Sequence, residues 1–307
     1  MTVNVLRSIS DLATIRGPVV LAAGVFDGFH LGHRAVIERA LADAAVGGTP
    51  VVLTFDPHPA TILRPQTAPP LLTSTRHKVR VLGEAGVRHV LVLEFTHAFA
   101  AKAPEHFIGE LAAACTPLRE ICVGEGWAFG KNRAGNLALL KSLGMKLGFD
   151  AVGIPAVAVD GRAVSSTVIR AAVEEGALDV ASRLLGRDFA VFGKVIEGRR
   201  LGRTLGFPTA NVLPESEQLP PNGVYAVRVA LDGKLHAGIA NVGVRPTVSD
   251  GEGQRLVEVH LFDFSDEIYG SDIEVIFQRF IRPEKKFPNL DILRAQIAHD
   301  IAEVRGA

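Results

Sequence analysis

Three things are scarce in this sequence: net charge, cysteine and long apolar runs. Lysine and arginine together number 33, as do aspartate and glutamate. No global field therefore exists to hold nucleic acid or an anionic membrane surface. The only cysteines are Cys115 and Cys122, without a Cys-x-x-Cys spacing. They read as packing residues of a protein kept in a reducing compartment. No run approaches membrane-spanning length, and the opening MTVNVLRSIS lacks the apolar stretch of a signal peptide. Internal repeats and low-complexity tracts are also missing. What remains is the expectation of a soluble, cytoplasmic, two-domain protein. A chain of 307 residues, 48% of them hydrophobic, is long for one core and comfortable for two.

The first part alternates short apolar runs with helical patterns. VVLAAGVF (19–26), PVVLTFDP (50–57), VRHVLVLEF (87–95) and REICVGEG (119–126) read as strands. Residues 32–46, 76–85, 105–114 and 136–147 read as helices. Strands with little polar alternation, separated by helices, predict a parallel sheet covered on both faces. Ligands of such sheets sit beyond the carboxyl ends of the strands. Three polar, glycine- or proline-rich stretches converge there: GVFDGFHLGH (24–33), TFDPHP (54–59) and VGEGWAFG (123–130). After about Leu185 the pattern changes to strands at 188–198, 223–231, 234–243, 255–264 and 271–281, with Asp232-Gly233 as a tight hairpin turn. Leu293, Ile297, Ile301 and Val304 then make one helical stripe, with Asn289 as its cap. The second part reads as a small antiparallel barrel closed by a C-terminal helix.

GVFDGFHLGH is neither a Walker A loop nor a Gly-x-Gly-x-x-Gly fingerprint. A turn needs its glycines but not its histidines. His30 and His33 enter at the first turn of a helix, where N–H groups lack partners and the dipole attracts anions. Spaced three apart, they share a face and can donate to one phosphate, while Gly32 lets a ligand approach the backbone. Two other readings stay open: a pair of solvated histidines, and a metal site with His58 as a third ligand. VSSTVIR (164–170) adds three hydroxyls and an arginine at the opening of another helix. It is either a plain cap or a second clamp on a polyphosphate.

His-x-Gly-His after a first strand, with a late Ser-Ser-Thr-x-Ile-Arg, resembles the nucleotidyltransferase superfamily. With TFDPHP and VGEGWAFGKNRAGN (123–136), the chain resembles the adenylyltransferase domain of bacterial bifunctional riboflavin kinase/FAD synthetases. GRRLGRTLGFPTANV (198–212), GVYAV, GIANVGVRPT (238–247), EVHLFDF and IYG (268–270) resemble the kinase barrel of the same family. The resemblance runs from about residue 17 to 303. It implies an α/β chain: a Rossmann-like nucleotidyltransferase domain in residues 1–185 and a six-stranded antiparallel barrel with a terminal helix in residues 186–307. It also implies two reactions, riboflavin to FMN and FMN to FAD, each with ATP and Mg²⁺.

In the first domain the resemblance assigns His30 and His33 to the ATP phosphates, within a nucleotide site of Gly24, Phe26, Asp27 and Gly32. Ser165, Ser166, Thr167 and Arg170 clamp from the other side. Asp56, His58, Gly124, Trp127, Asn132 and Arg133 fall to the flavin. One departure stands out: where the family carries Asp or Asn before an aromatic, this chain has Gly126 before Trp127. Trp127 either stacks on a bound ring or fills core.

In the second domain GRRLGRTLGFPTAN reads, resemblance aside, as a glycine-rich segment leading to a rigid Pro-Thr-x-Asn turn. Gly202, Arg203, Gly206, Phe207 and Pro208 can form a phosphate loop, with Arg199 and Arg200 adding charge; the other reading is a basic surface loop with a polar turn. Thr209 and Asn211 offer oxygens that suit magnesium held by ATP. Glu258, in the apolar strand RLVEVHLF, is either costly to bury or solvent-facing by alternation; the resemblance makes it the base for the riboflavin hydroxyl. The expected partners are riboflavin, FMN and ATP, with no nucleic acid and no membrane; self-association is left open. Two alternatives remain: a riboflavin kinase whose adenylyltransferase domain is weak, and a flavin-binding regulator without turnover.

Overall fold

The computed structural model describes residues 3–198, 202, 205–215, 218–245 and 254–306. Arg203 of the expected kinase loop, and Arg199 and Arg200 beside it, lie outside the described residues. By contact the chain divides into two units: Met1–Leu71 with Thr75–Ser166, and Leu72–Ser74 with Thr167–Ala307.

The first unit holds strands β1 (Asn4–Leu6), β2 (Val19–Ala23), β3 (Thr49–Asp56), β4 (His89–Glu94), β5 (Leu118–Gly124) and β6 (Asp150–Ile154). They pair in the order β1-β4-β3-β2-β5-β6, every pair parallel. Helices α1 (Leu31–Ala44), α2 (Pro59–Leu63), α3 (Thr75–Glu84), α4 (His97–Ala100), α5 (Pro104–Ala114) and α6 (Leu137–Leu147) connect them. All five residues of β2 are buried. Successive side chains go to opposite faces: Val19, Leu21 and Ala23 join the core under α5 and α6, while Val20 and Ala22 join the core under α1 and α3. A strand buried on both faces has no polar position to spare, which is why its sequence lacks alternation. The chain leaves β2 toward β3 on one side and returns to β5 on the other, so β2 and β5 flank the switch point where such sheets bind ligands. β1 and β6 escaped the sequence reading: one is three residues long, the other a short DAVGI carrying a glycine. A two-residue pair, β7 (Ala158–Val159) with β8 (Arg162–Ala163), precedes α7 (Ser166–Glu174).

The second unit continues with α8 (Leu178–Leu185), β9 (Ala190–Ile196), β10 (Ala210–Pro214), β11 (Gly223–Leu231), β12 (Lys234–Arg245), β13 (Gln254–Leu261) and β14 (Asp272–Arg282). The six strands close into an antiparallel barrel in the order β10-β13-β12-β11-β14-β9. Asp232 and Gly233 both take positive φ between β11 and β12, the geometry expected of a tight hairpin. One expectation is corrected: Pro-Thr-x-Asn is not a turn but the entry to β10, placed just after Pro208, where a missing N–H costs no ladder bond. The terminal helix α9 (Leu290–Arg305) starts at its cap, with the Asn289 side chain accepting from the Ile292 N–H at 2.9 Å. Its Asp300, 2% exposed, pairs with Arg282 of β14 at 2.8 Å and accepts from Gln296. Breaking such a buried pair by removing one partner typically costs about 3–5 kcal/mol, so this contact ties the helix to the barrel wall.

Candidate active sites

The histidine turn leaves β2 through residues with left-handed backbone: Phe26, Gly28 and Phe29 all have positive φ. Two phenylalanines in that region are strained. They are held there because both rings are buried, each 1% exposed, and a Cβ on Gly24 would strike the Phe26 ring at 2.9 Å. The turn delivers His30 as the N-cap of α1, its Nδ1 accepting from the His33 N–H at 3.3 Å. Neutral His30 therefore carries its proton on Nε2. Its ring stacks on His33 with centroids 3.5 Å apart, and Phe26 meets His33 edge-on. His33 is half-buried, yet its Nδ1 is sealed from solvent without a hydrogen-bond partner. Burial first, then the neighbouring His30 and Lys78, hold the His33 pKa well below its ordinary value.

The pair thus shares one face, as the spacing requires. His30 spends its Nδ1 inside the turn. The space Gly32 leaves is occupied by the His30 ring, whose Cε1 would lie 3.2 Å from an added Cβ. His58 is likewise a cap, its Nδ1 accepting from the Ala60 N–H of α2 at 3.0 Å. Among the described residues, the three metal-capable groups that converge are Asp43, Glu120 and Cys122, none of them in this turn. There the buried Cys122 thiol donates to Glu120 at 2.9 Å, and Cys115 is buried with its pKa pushed up to about 11 by burial. Both cysteines are free, as packing residues would be.

Asp27 is 2% exposed, and the Ser166 hydroxyl donates to its backbone carbonyl at 2.9 Å. The late serine stretch is therefore tied to the first turn. Ser165 is half-buried beside it, whereas Thr167 and Arg170 belong by contact to the second unit. Asp56, exposed, ends β3. Gly124 ends β5 and accepts from the Trp127 N–H at 2.8 Å. Trp127 packs on the core and stacks on Phe129 with centroids 4.4 Å apart. Asn132 and Arg133 are exposed with positive φ, in a loop closed by paired hydrogen bonds between Phe129 and Gly135.

Sequence reasoning missed Lys78. It is 3% exposed on α3, and its Nζ donates to the Val25 carbonyl at 2.8 Å, with Thr54 Oγ1 at 3.4 Å. A lysine within TRHKVR reads as a surface residue, and only its position three before the buried Val81 hints otherwise.

The barrel site is built on register. Asn211 of β10 and Asn241 of β12 both stand opposite Glu258 of β13. Val257, Val259, Val212 and Val242 point inward, each at most 1% exposed. Their odd-step neighbours Asn211, Glu258 and Asn241 therefore share the outer wall. That wall is covered: together with Thr209, Leu293 and Ile297 they line a cleft of about 490 Å³ between the barrel, residues 205–209 and α9. So Glu258 does face outward, as alternation demands, but into a cleft. His260 Nδ1 donates to the Pro208 carbonyl at 2.8 Å, and its ring meets Phe207 edge-on. These contacts strap residues 207–208 over β13. Phe207 N–H donates back to Gly202, and Gly206 takes φ +86. A Cβ on Gly198 would collide with the Asn211 amide, and one on Gly202 would sit 3.1 Å from Thr209 Oγ1. Asn241, also missed, donates to Glu284 at 3.3 Å.

A histidine-capped helix start in one unit and a polar cleft beside glycines in the other are the kinds of site that phosphate-transferring enzymes use. The FAD synthetase family model matches residues 13–168 and the riboflavin kinase model residues 185–307. A bifunctional riboflavin kinase/FMN adenylyltransferase of Escherichia coli (strain K12) is 42% identical over 92% of this chain and 90% of its own. One of the same description from Haemophilus influenzae is 37% identical, covering 97% of each chain. A solved structure described as a macrolide-efflux protein from Streptococcus pneumoniae superposes with TM-score 0.85 at 29% identity, over 99% of this chain and 100% of that one. No helix among the described residues is long and apolar enough to cross a membrane. The chain belongs to the family of bifunctional riboflavin kinases/FMN adenylyltransferases.

Proposed function

We propose that this enzyme phosphorylates riboflavin to FMN in its barrel and adenylylates FMN to FAD, with release of pyrophosphate, in its α/β domain. ATP serves both steps, and Mg²⁺ enters with it as part of the substrate. The observation that carries the reading is the row Asn211–Glu258–Asn241 beside Thr209 on a covered wall, in a chain that also presents two stacked histidines at a helix start. In the barrel, Glu258 accepts the proton of the riboflavin 5′-hydroxyl as the γ-phosphoryl group is transferred. Thr209 and Asn211 are hard oxygen donors with glycines 198 and 202 clearing space around them, a set that suits the magnesium of the nucleotide. Gly202, Gly206, Phe207 and Pro208 form the phosphate loop.

In the α/β domain no protein nucleophile is needed, because the FMN phosphate attacks the α-phosphorus of ATP. Catalysis is positioning and charge stabilisation. His30 donates from Nε2, and His33, kept neutral, presents its other ring edge; Ser165 and Ser166 complete the clamp. Asp56, His58 and the loop after β5 take the flavin side. The functional boundary lies near residue 185, and the protein works in the cytoplasm on small molecules, without nucleic acid or membrane. Gly126 favours a second reading, in which adenylyl transfer is weak and kinase activity dominates.

Incubation with riboflavin, ATP and Mg²⁺, with the flavins separated over time, tests this. FMN followed by FAD is the expected course. FMN alone selects the second reading, and no new flavin refutes both.

A further inference from the structure

The geometry around Val25 assigns a role to a residue outside both sets of phosphate ligands. This inference rests on the adenylyl-transfer reading above. Val25 is the hinge residue of the histidine turn: it follows β2 and precedes the three positive-φ positions. Its carbonyl takes two donors from beneath the sheet's carboxyl edge, Thr54 Oγ1 at 2.8 Å and Lys78 Nζ at 2.8 Å. Thr54 is fully buried and Lys78 is 3% exposed. A buried ammonium is costly, and here burial lowers the Lys78 pKa while the charges of Asp27 and Asp56 oppose that loss. A chain that only needed to fill this space could do so with an apolar residue.

We infer that Lys78 is a positioning residue for adenylyl transfer, clamping the Val25 carbonyl so that the strained turn holds His30 and His33 in place, and setting a fixed positive charge behind them. The charge acts in two directions. It adds to the positive field that a polyphosphate meets at the start of α1, and it disfavours protonation of His33, on which it bears directly. The turn and the charge come from different elements, β2 and α3, so the support is not a property of the helix start itself.

Lys78→Met keeps the stem and removes both the charge and the donors. In the full chain supplied with FMN and ATP, kcat for FAD formation should fall roughly 10- to 100-fold, the worth of a charged hydrogen bond. Riboflavin phosphorylation by the same sample should be unchanged. The His33 imidazole, followed by NMR in the ligand-free protein, should titrate at higher pH in Lys78→Met, a shift that a space-filling role would not produce. Thr54→Val removes one donor and leaves the ammonium, so it should cost roughly 2- to 10-fold and leave the His33 titration in place. If Lys78→Met fails to fold, Thr54→Val decides, and an undiminished kcat there overturns the clamp. If the wild-type chain forms no FAD, the adenylyl-transfer reading falls and this inference with it. If the wild type is active and Lys78→Met keeps kcat within about twofold, below the worth of even a neutral hydrogen bond, the inference alone is wrong. An unmoved His33 midpoint has the same meaning.

Discussion

The two sites of this chain are made by opposite means. In the α/β domain a strained turn, two stacked rings and a buried lysine bring together residues adjacent in sequence. In the barrel, residues far apart in sequence meet because three strands pair in one register. The first arrangement is local and needs hidden support; the second is non-local and is supported by the wall itself. A local site advertises itself as a motif but conceals what holds it, whereas a register site shows its members singly and reveals that they meet only once the strands are paired.

The sharpest break of this comparison is Glu258→Gln. It keeps the shape and removes the proton acceptor, so FMN formation at saturating riboflavin should fall about 10²–10⁴-fold. FAD formation from supplied FMN should persist in the same sample. A loss below about threefold would return Glu258 to the role of a surface residue, far under the usual contribution of a base.

His33→Ala comes next, with FAD formation slowed roughly 10²–10³-fold, the range for a lost transition-state donor, and phosphorylation untouched. His30→Ala should match it in rate and also lose stability by about 1 kcal/mol, because it removes a cap as well. Thermal melts of the two variants separate these effects.

A smaller effect follows from the depressed His33 pKa. Below its ordinary value of about 6.5, the unfolded chain binds a proton that the folded chain refuses, so stability falls as pH drops through that value and toward the folded pKa. Denaturant titrations from pH 7.5 down to pH 5 should show this loss in the wild type and less of it in His33→Gln. An identical slope in both would remove His33 from the acid response.

Smallest of all is Gly126→Asp. Gly126 is exposed, and an added Cβ would meet nothing within 4 Å, so stability should change by less than about 0.5 kcal/mol. The change supplies the carboxylate that the resemblance leads one to expect in this loop. FAD formation should rise if that group contacts substrate; a rate unchanged in steady-state assays would mean the loop works without it.

The sequence already displayed β2 through β5, the change of pattern near Leu185 and the Asn289 cap, because each rests on local composition. β10 did not show, because GFPTANVLP carries a proline and polar residues that local reading assigns to a turn, and its pairing with β9 and β13 is a tertiary fact. Glu258 could be placed on an outer face by alternation, but what covers that face comes from α9 and residues 205–209. Trp127 could have served a ligand or the core; the core takes one of its faces through Phe129. Lys78 was beyond reach, since nothing in a residue's own type announces that a charged side chain is enclosed.

The register row on the barrel wall has a practical consequence. Slipping β13 by one residue would exchange Glu258 for a valine on the outer wall and turn the carboxylate into the barrel interior. Misassembled barrels would then be silent rather than slow. The specific activity of a refolded preparation for FMN formation therefore counts the molecules whose strands are correctly threaded, and a single turnover number should describe every active molecule in the tube.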